Sequence, residues 1–380
     1  MAFKALYVHI PFCLAKCHYC DFVSFAVNNH PSAIKQYKYY LQQEASLWHK
    51  DDFSEIRTIY FGGGTPTVMD IDDLIELVVY FRQLCGLVND NSAEITVECN
   101  PGTIDAAKLY RLRQSGVNRL SIGAQSFCDE TLRCMGRLYK AQDCLQVIKE
   151  ARAAGFKNIS IDLIYGLPNQ KVADWLEQLK IAVSLYTEHI SVYGLTVSPT
   201  TAWGRALAEG RLPLPDSDCC ADMLEAGRDY IVSQGYKHYE IANFALEGYE
   251  SRHNLTYWRR WDYLPLGVSA SGLSGSRRWS NHRDIKKYIE DIKAHKKPIA
   301  EQELLSAEQV LFEAVFLGLR LLEGIDLQQF FECYQVKLVN KFSDQIKKMR
   351  QEKLLQINDG RLRLTPKGLL LANEVFVNFL

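Results

Sequence analysis

The segment Ala5-Leu6-Tyr7-Val8-His9-Ile10-Pro11-Phe12-Cys13-Leu14-Ala15-Lys16-Cys17-His18-Tyr19-Cys20 decides how the rest of the chain is read. Residues 5–10 form a short apolar and aromatic run of the kind that makes a buried strand, and Pro11 ends it by removing a backbone donor. Three cysteines then fall within eight residues, in the loop that follows. Soft thiolates at spacings of four and three suit an iron–sulfur cluster held at three corners, with a fourth iron left open. Two other readings of the same residues stand beside it. Zinc would want a fourth donor, and His9 and His18 lie close, yet no downstream C-x-x-C completes a tetrahedral site. Free thiols also bury readily, as small hydrophobes do.

Working outward, strand-like runs rich in Val, Ile and Tyr recur at 57–61, 94–99, 119–124, 158–164 and 189–196. Helix-period segments separate them, at Ala33–Trp48, Ile71–Leu84, Asp105–Gln114, Gln142–Ala154 and Ala173–Leu185. This alternation predicts an α/β fold with a parallel sheet and crossover helices, six strands rather than the eight of a closed barrel. Such sheets gather reactive groups at the carboxyl ends of their strands. The cysteine loop occupies the first of these ends, and Phe61-Gly62-Gly63-Gly64-Thr65-Pro66 the second. Successive glycines let backbone amides approach a ligand, though they serve a flexible strand end equally well.

After about residue 200 the alternation gives way to a helix over 218–233, an extended stretch Tyr236–Ala245, and an aromatic, Gly- and Ser-rich region to about 282, expected to pack beside the sheet or cap it. From 301 the pattern predicts helices at Glu308–Leu321 and Asp344–Glu352. A hairpin over 354–364 on Asp359-Gly360 follows, then a last helix with Thr365 as N-cap and Pro366 at its first position. That order suggests a small winged-helix-like module with Phe312, Phe316, Tyr334 and Phe376 in its core.

The 380 residues are 47% hydrophobic, 11% aromatic and 23% charged, an ordinary globular make-up that excludes disorder, collagen and coiled coil. With 44 basic and 45 acidic side chains, and 10 against 11 within 301–380, nothing provides the field that grips a polyanion, so nucleic acid is not an expected partner. No run reaches the roughly 18 apolar residues of a spanning helix, and Met1-Ala2-Phe3-Lys4 enters the first strand without a secretory segment. A cytoplasmic location and free thiols follow as expectations. Cys85, Cys99, Cys128, Cys134, Cys144 and Cys333 fit apolar packing, and the adjacent Cys219 and Cys220 point in different directions along a helix.

Taken together, Tyr7–Cys13 leading into CxxxCxxC, GGGTP, Ile122-Gly123-Ala124-Gln125-Ser126-Phe127, Asp162-Leu163-Ile164-Tyr165-Gly166-Leu167-Pro168 and Leu364-Thr365-Pro366-Lys367-Gly368 resemble the radical S-adenosylmethionine (SAM) superfamily. Within it, the resemblance is to the family around oxygen-independent coproporphyrinogen III oxidase, especially its HemW branch of heme chaperones. The resemblance implies a partial (β/α)6 radical SAM barrel over 1–235, an extension over 236–300 that caps it, and a C-terminal module over 301–380. It implies a [4Fe-4S] cluster on Cys13, Cys17 and Cys20, whose open iron takes the amino and carboxylate groups of SAM. An electron from the reduced cluster then cleaves the S–C5′ bond and gives a 5′-deoxyadenosyl radical. Tyr7, Gly63, Gly64, Thr65, Glu98, Gln125, Arg137 and Asp162 resemble the family's SAM contacts. Glu98, Gln125 and Asp162 can accept from the amino group or ribose hydroxyls, and Arg137 can pair with the carboxylate; each can also serve a neighbouring protein group.

The motif His253-Asn254-Leu255-Thr256-Tyr257-Trp258 resembles the HNxxYW signature of the HemW branch, which implies heme contacts at His253, Asn254, Tyr257 and Trp258, with His253 an axial ligand. On chemistry alone, one histidine in such a stretch is a structural one. Three departures matter. Coproporphyrinogen oxidases carry a further Cys at the place of Phe22, and relatives usually have Gly at Pro265 and often His at Ser271. The resemblance implies heme, a heme-accepting apoprotein and an electron donor such as a flavodoxin or ferredoxin as partners, with peripheral membrane contact left open. A heme chaperone is the leading function, ahead of radical decarboxylation of coproporphyrinogen III and of a redox-sensing winged-helix regulator; no residue is assigned a catalytic role.

Overall fold

Six parallel strands, β1 (Ala5–Ile10), β2 (Thr58–Gly63), β3 (Glu94–Cys99), β4 (Arg119–Gln125), β5 (Ile159–Tyr165) and β6 (His189–Gly194), stand side by side in chain order in a computed structural model that describes residues 2–90 and 92–379. Between them run helices α1 (Pro31–Ser46), α2 (Ile71–Leu84), α3 (Ala106–Ser115), α4 (Ala141–Ala153) and α5 (Val172–Ser184), followed by α6 (Ser217–Ser233). Helix α2 shows why they form. Asp70 caps it by accepting from the Asp72 amide at 2.9 Å, and Leu74, Leu77, Val78 and Phe81 fall at i, i+3, i+4 and i+7 to bury one stripe against the sheet. Strand β4 is buried at every residue, as a parallel strand covered on both faces must be.

The sheet does not stop at six strands. A hairpin, β7 (Lys237–Glu240) and β8 (Asn243–Ala245), adds antiparallel to β6, while β9 (Tyr263–Leu266) adds parallel to β1. Strands β10 (Ser271–Ser274), β11 (Arg277–Asn281) and β12 (Ile299–Leu304) then continue that edge, twelve strands in all. The stretch Tyr236–Ala245 is extended as expected, and the aromatic, Gly- and Ser-rich region to about 282 forms strands plus one short helix, α7 (Arg252–Trp258). The cause was not local: the Glu94 carboxylate at the start of β3 accepts from the backbone amides of Arg252 at 2.9 Å and His253 at 3.0 Å, capping α7 from 158 residues away.

The C-terminal residues build a second core around Val315, Phe330, Ile346, Leu362 and Val375. Helices α8 (Ala307–Gly318), α9 (Leu327–Tyr334) and α10 (Ser343–Gln351) pack on a three-stranded sheet in the order β13 (Ile325–Asp326), β15 (Arg361–Leu364), β14 (Leu355–Asn358). Asp359 and Gly360 both take positive φ, as a two-residue hairpin turn demands, and Thr365 caps the short helix Pro366–Leu370 by accepting from Gly368 N at 3.0 Å, with a further short helix, Ala372–Val377, after it. Phe376 is buried in this core, while Phe312, Phe316 and Tyr334 pack along its edge, partly buried. The module meets α7 and its C-terminal flank, where Arg260 pairs with Glu313 at 3.0 Å and Arg320 lies over the Trp258 ring at 4.4 Å.

Among the scattered cysteines, Cys85, Cys99 and Cys144 are buried, but Cys128, Cys134 and Cys333 are exposed. The first two exposed thiols flank and end a short surface helix (Asp129–Cys134), and the third sits on α9, whose one buried residue is Phe330. Short, largely exposed helices hold them, so apolar packing does not.

Candidate functional site

The carboxyl ends of β1 to β6 open onto a cavity of about 460 Å³, within the usual range for a small-molecule site. Cys13, Cys17 and Cys20 line it together with Gly63, Gly64, Thr65, Glu98, Gln125, Arg137 and Asp162. The cysteine loop is fixed to the end of β2 by backbone bonds, Gly64 N to Ile10 O at 2.9 Å and Thr65 N to Phe12 O at 2.7 Å. The glycines permit this contact. A Cβ on Gly64 would stand 2.6 Å from Phe12 O, and Gly63, at φ +110°, would push a Cβ into the His9 ring.

A line of donors runs to the first thiol. Arg137 Nη1 donates to Asn100 Oδ1 at 3.2 Å, Asn100 Nδ2 to Thr65 Oγ1 at 2.7 Å, and the Thr65 hydroxyl to Cys13 Sγ at 3.7 Å. Such donors favour a thiolate, yet burial outweighs them and pushes the Cys13 thiol up, as it does Cys20. Metal must therefore expel protons as it binds. The donor set fits a cluster: three thiols, soft donors once deprotonated, face open space, and Arg137 Nε is buried without a partner among the described residues. Among the described residues no three His, Cys, Asp or Glu side chains converge on a single ion. A lone zinc needs that convergence; a cluster, which takes each thiolate on a different iron, does not.

Glu98 Oε1 accepts from the Tyr60 hydroxyl at 2.8 Å and Oε2 from Gly63 N at 3.0 Å, and burial, with the Asp162 charge adding to it, pushes the Glu98 carboxyl up to about 7. Asp162 accepts from Ser121 at 2.9 Å and Ser160 at 3.3 Å; burial raises it as well. Gln125 ends β4 in the left-handed region at φ 62°, where the register with β5 shifts, a conformation held at a cost by its surroundings. Arg137 donates to the Tyr19 hydroxyl and lies 5.7 Å over the Tyr19 and Tyr139 rings. Tyr7 is the exception: it does not line the cavity, and its hydroxyl bonds His9 Nδ1 at 3.0 Å while its ring stacks on Tyr60. Sequence reasoning missed Asn100, Tyr60, Tyr19 and Tyr139, the groups that orient Thr65, Glu98 and Arg137. Asn100 alone carried a signal, as the polar residue directly after β3.

The radical SAM superfamily model matches residues 7–182, and the HemN C-terminal domain model residues 305–371. A heme chaperone HemW of Bacillus subtilis is 38% identical over 378 residues, covering 99% of both chains, and one of Lactococcus lactis is 33% identical over 377 residues, covering 99% of this chain and 97% of the other. The chain belongs to the HemW family of radical SAM proteins. A solved structure of Escherichia coli coproporphyrinogen III oxidase (HemN), a radical SAM enzyme, covers 100% of this chain and 90% of its own with a TM-score of 0.84 at 24% identity, which shows a common fold. Radical SAM membership brings a [4Fe-4S] cluster and SAM as cofactors. When bound, that pair supplies one-electron chemistry.

In this HemW-family chain the HNxxYW segment lies at the amino-terminal end of the barrel strands, opposite the cysteine-lined cavity. His253 is 1% exposed, its Nδ1 is bonded to Thr58 Oγ1 at 2.8 Å, and its Nε2 is bonded to the Tyr257 hydroxyl at 2.8 Å. Burial lowers the imidazole to about 3, so it is neutral, and its ring stacks on Tyr60 at 5.0 Å. Both nitrogens are committed, Trp258 is covered by Arg320, and Asn254 N bonds its own cap Ser251 at 3.3 Å. The four residues lie at the amino-terminal mouth, where Trp258 Nε1 is buried without a partner among the described residues. Pro265 likewise belongs to the sheet, opposite Tyr7 in β1, and Ser271 begins β10 on the surface, so neither shapes a ligand loop.

Proposed function

We propose that this chain binds heme and passes it to an acceptor protein, with the cluster and SAM held at the carboxyl-end cavity. The observation that carries the reading is the 38% identity to a heme chaperone over 99% of both chains. Phe22 supports it: an exposed aromatic (66%) stands at the cavity rim where oxidases have a further Cys. Gly63, Gly64, Thr65, Glu98, Gln125, Arg137 and Asp162 are the SAM contacts of this reading, with Tyr7 acting at one remove through His9. The proposed division is barrel 1–235, extension 236–300 and C-terminal module 301–380; two separate apolar cores support the last boundary, while barrel and extension share one core. The proposed partners are a heme-accepting apoprotein and a reductant of the flavodoxin or ferredoxin kind, in the cytoplasm, with peripheral contact at a membrane where acceptors are embedded. No described helix is long and apolar enough to cross one.

The test is transfer. The reconstituted full chain, loaded with hemin and mixed with the apo form of a b-type heme protein, should give up its heme, read as growth of the acceptor's Soret spectrum. Coproporphyrinogen III supplied with SAM and reductant should persist. Its consumption in step with 5′-deoxyadenosine release, without heme transfer, would replace the chaperone by the decarboxylating enzyme.

A further inference from the structure

The cysteine loop has two sides. A second cavity, of about 590 Å³, lies behind it, and Cys17 and Cys20 line both this cavity and the one at the carboxyl mouth, so the wall between them is one loop thick. The SAM contacts of the reading above line the front cavity, while Lys16, Asp21, Phe22, Arg205 and Arg283 stand exposed around the back one. A macromolecule that must come close to the thiolates without displacing SAM therefore has this back face to approach.

The charge on that face is lopsided, although the whole chain is nearly balanced at 44 basic and 45 acidic side chains. Lys16, Arg205 and Arg283 line it with a single acid, Asp21. Lys16 donates to the Phe22 carbonyl at 3.2 Å and Arg205 to the Thr200 carbonyl at 3.2 Å, neutral acceptors that leave the positive field standing. Asp284, next to Arg283 in the chain, is engaged in capping the following helix through the Lys286 amide at 2.8 Å. Beside these cations Phe22 is 66% exposed, and an aromatic among arginines is the make-up of a protein contact more than of a solvated surface. The platform is also stiff. His18 N bonds Met135 O at 3.0 Å, Trp203 N bonds His18 O at 2.9 Å, and Thr201 caps the short helix that carries Arg205 by accepting from Gly204 N at 3.0 Å.

We propose that this back face is the docking surface for a small acidic one-electron carrier protein, with Lys16, Arg205 and Arg283 meeting its carboxylates and Phe22 packing at the centre of the contact. The proposal rests on the reading above that a reductant of the flavodoxin or ferredoxin kind serves the cluster, and it says where that reductant sits. The electron balance is simple. An anionic flavin hydroquinone leaves as the neutral semiquinone, or a reduced iron–sulfur centre as the oxidised one, and the oxidised cluster of this chain takes the one electron; no bond forms or breaks. Redox encounters of this kind are small and steered by charge, which suits a patch of three cations and one ring.

The experiment uses the anaerobically reconstituted full chain, with iron content and thermal midpoint measured first for every variant. Oxidised flavodoxin and, separately, an oxidised plant-type ferredoxin are titrated in by calorimetry. Wild type should bind at least one of them, more weakly as salt rises, and equally well with SAM present. Arg205→Glu with Arg283→Glu should weaken that binding about tenfold or more and flatten its salt dependence, whereas Arg205→Lys with Arg283→Lys should bind as wild type does. In stopped flow, reduced carrier at subsaturating concentration should reduce the cluster of the double Glu variant about tenfold more slowly, while dithionite should still reduce it to the wild-type extent. Wild-type affinity and salt dependence in the double Glu variant, or competition between SAM and the carrier, would overturn the docking face and leave the reductant reading standing. A wild type that binds neither carrier would remove that reading and the proposal with it. Adsorption to phosphatidylglycerol vesicles that the double Glu variant loses, without carrier binding, would give the patch to a membrane surface instead.

Discussion

The two mouths of this barrel are built from similar residues to opposite ends. At the carboxyl mouth, polar side chains leave work undone: among the described residues Arg137 Nε lacks a partner, Glu98 is lifted to about 7, and three thiols face open space. At the amino mouth, Glu94, Thr58, His253 and Tyr257 satisfy one another around the capped helix α7, and Trp258 Nε1 and Arg119 Nε are buried groups left without partners among the described residues. A buried polar group that is fully paired rigidifies a fold, while one left short is poised for a ligand. Changes at the first mouth should thus cost cofactor with little loss of stability, and changes at the second the reverse.

The largest expected effect is at the cysteines. Cys13→Ala, Cys17→Ala or Cys20→Ala should each take iron from about four per chain to near none, with the thermal midpoint of the apo protein barely moved, as metal analysis and calorimetry would read. Retained iron in a triple variant would contradict the donor assignment. At the other mouth, His253→Ala leaves the Thr58 and Tyr257 hydroxyls unpaired and a void beside Tyr60, so unfolding should become easier by about 2–4 kcal/mol, with iron loading intact. Denaturant titration checks it, and a stability equal to wild type would undo the contrast between the mouths.

Between these lies Gly64, which sits at the cofactor mouth but acts through packing. Gly64→Ala should drive the loop off β2 and lower iron loading severalfold, because the added methyl meets the Phe12 backbone, which cannot yield as a flexible side chain would. The smallest effect concerns protons. Glu98 is raised from 4.5 to about 7, so in the ligand-free fold its contribution to stability is complete below 4.5 and lost as pH rises through 7. The cationic sulfonium of SAM, brought into the same cavity, favours the carboxylate. SAM binding at pH 6 should therefore release close to one proton more from wild type than from Glu98→Gln, a difference that fades as pH rises past about 7. Calorimetry in buffers of different ionisation enthalpy measures this, and equal proton release from the two proteins would contradict it.

The same contrast explains what could be read in the sequence. All six barrel strands and the cysteine and glycine loops were legible because their signals are local: apolar runs, alternation with helices, and ligand spacing. Helix α7 was legible only in part, since Ser251 caps it locally but Glu94, which takes its first two amides, comes from a distant strand; the partners of His253, Thr58 and Tyr60, lie on β2. The motif's residues are conspicuous in type, but only tertiary contact decides whether an imidazole has a nitrogen to spare. His18 shows the converse. It carried no more signal than His9, yet His9 is bonded at both nitrogens, to Tyr7 and to the Val23 carbonyl, and His18 at only one among the described residues.

The most direct test is Mössbauer spectroscopy of the ⁵⁷Fe-reconstituted full chain before and after SAM is added. Three thiolates and one vacant corner should give a four-iron spectrum in which a single iron changes its parameters when SAM binds. Zinc in place of iron, or four irons indifferent to SAM, would contradict the assignment of the cysteine loop and the cavity it faces.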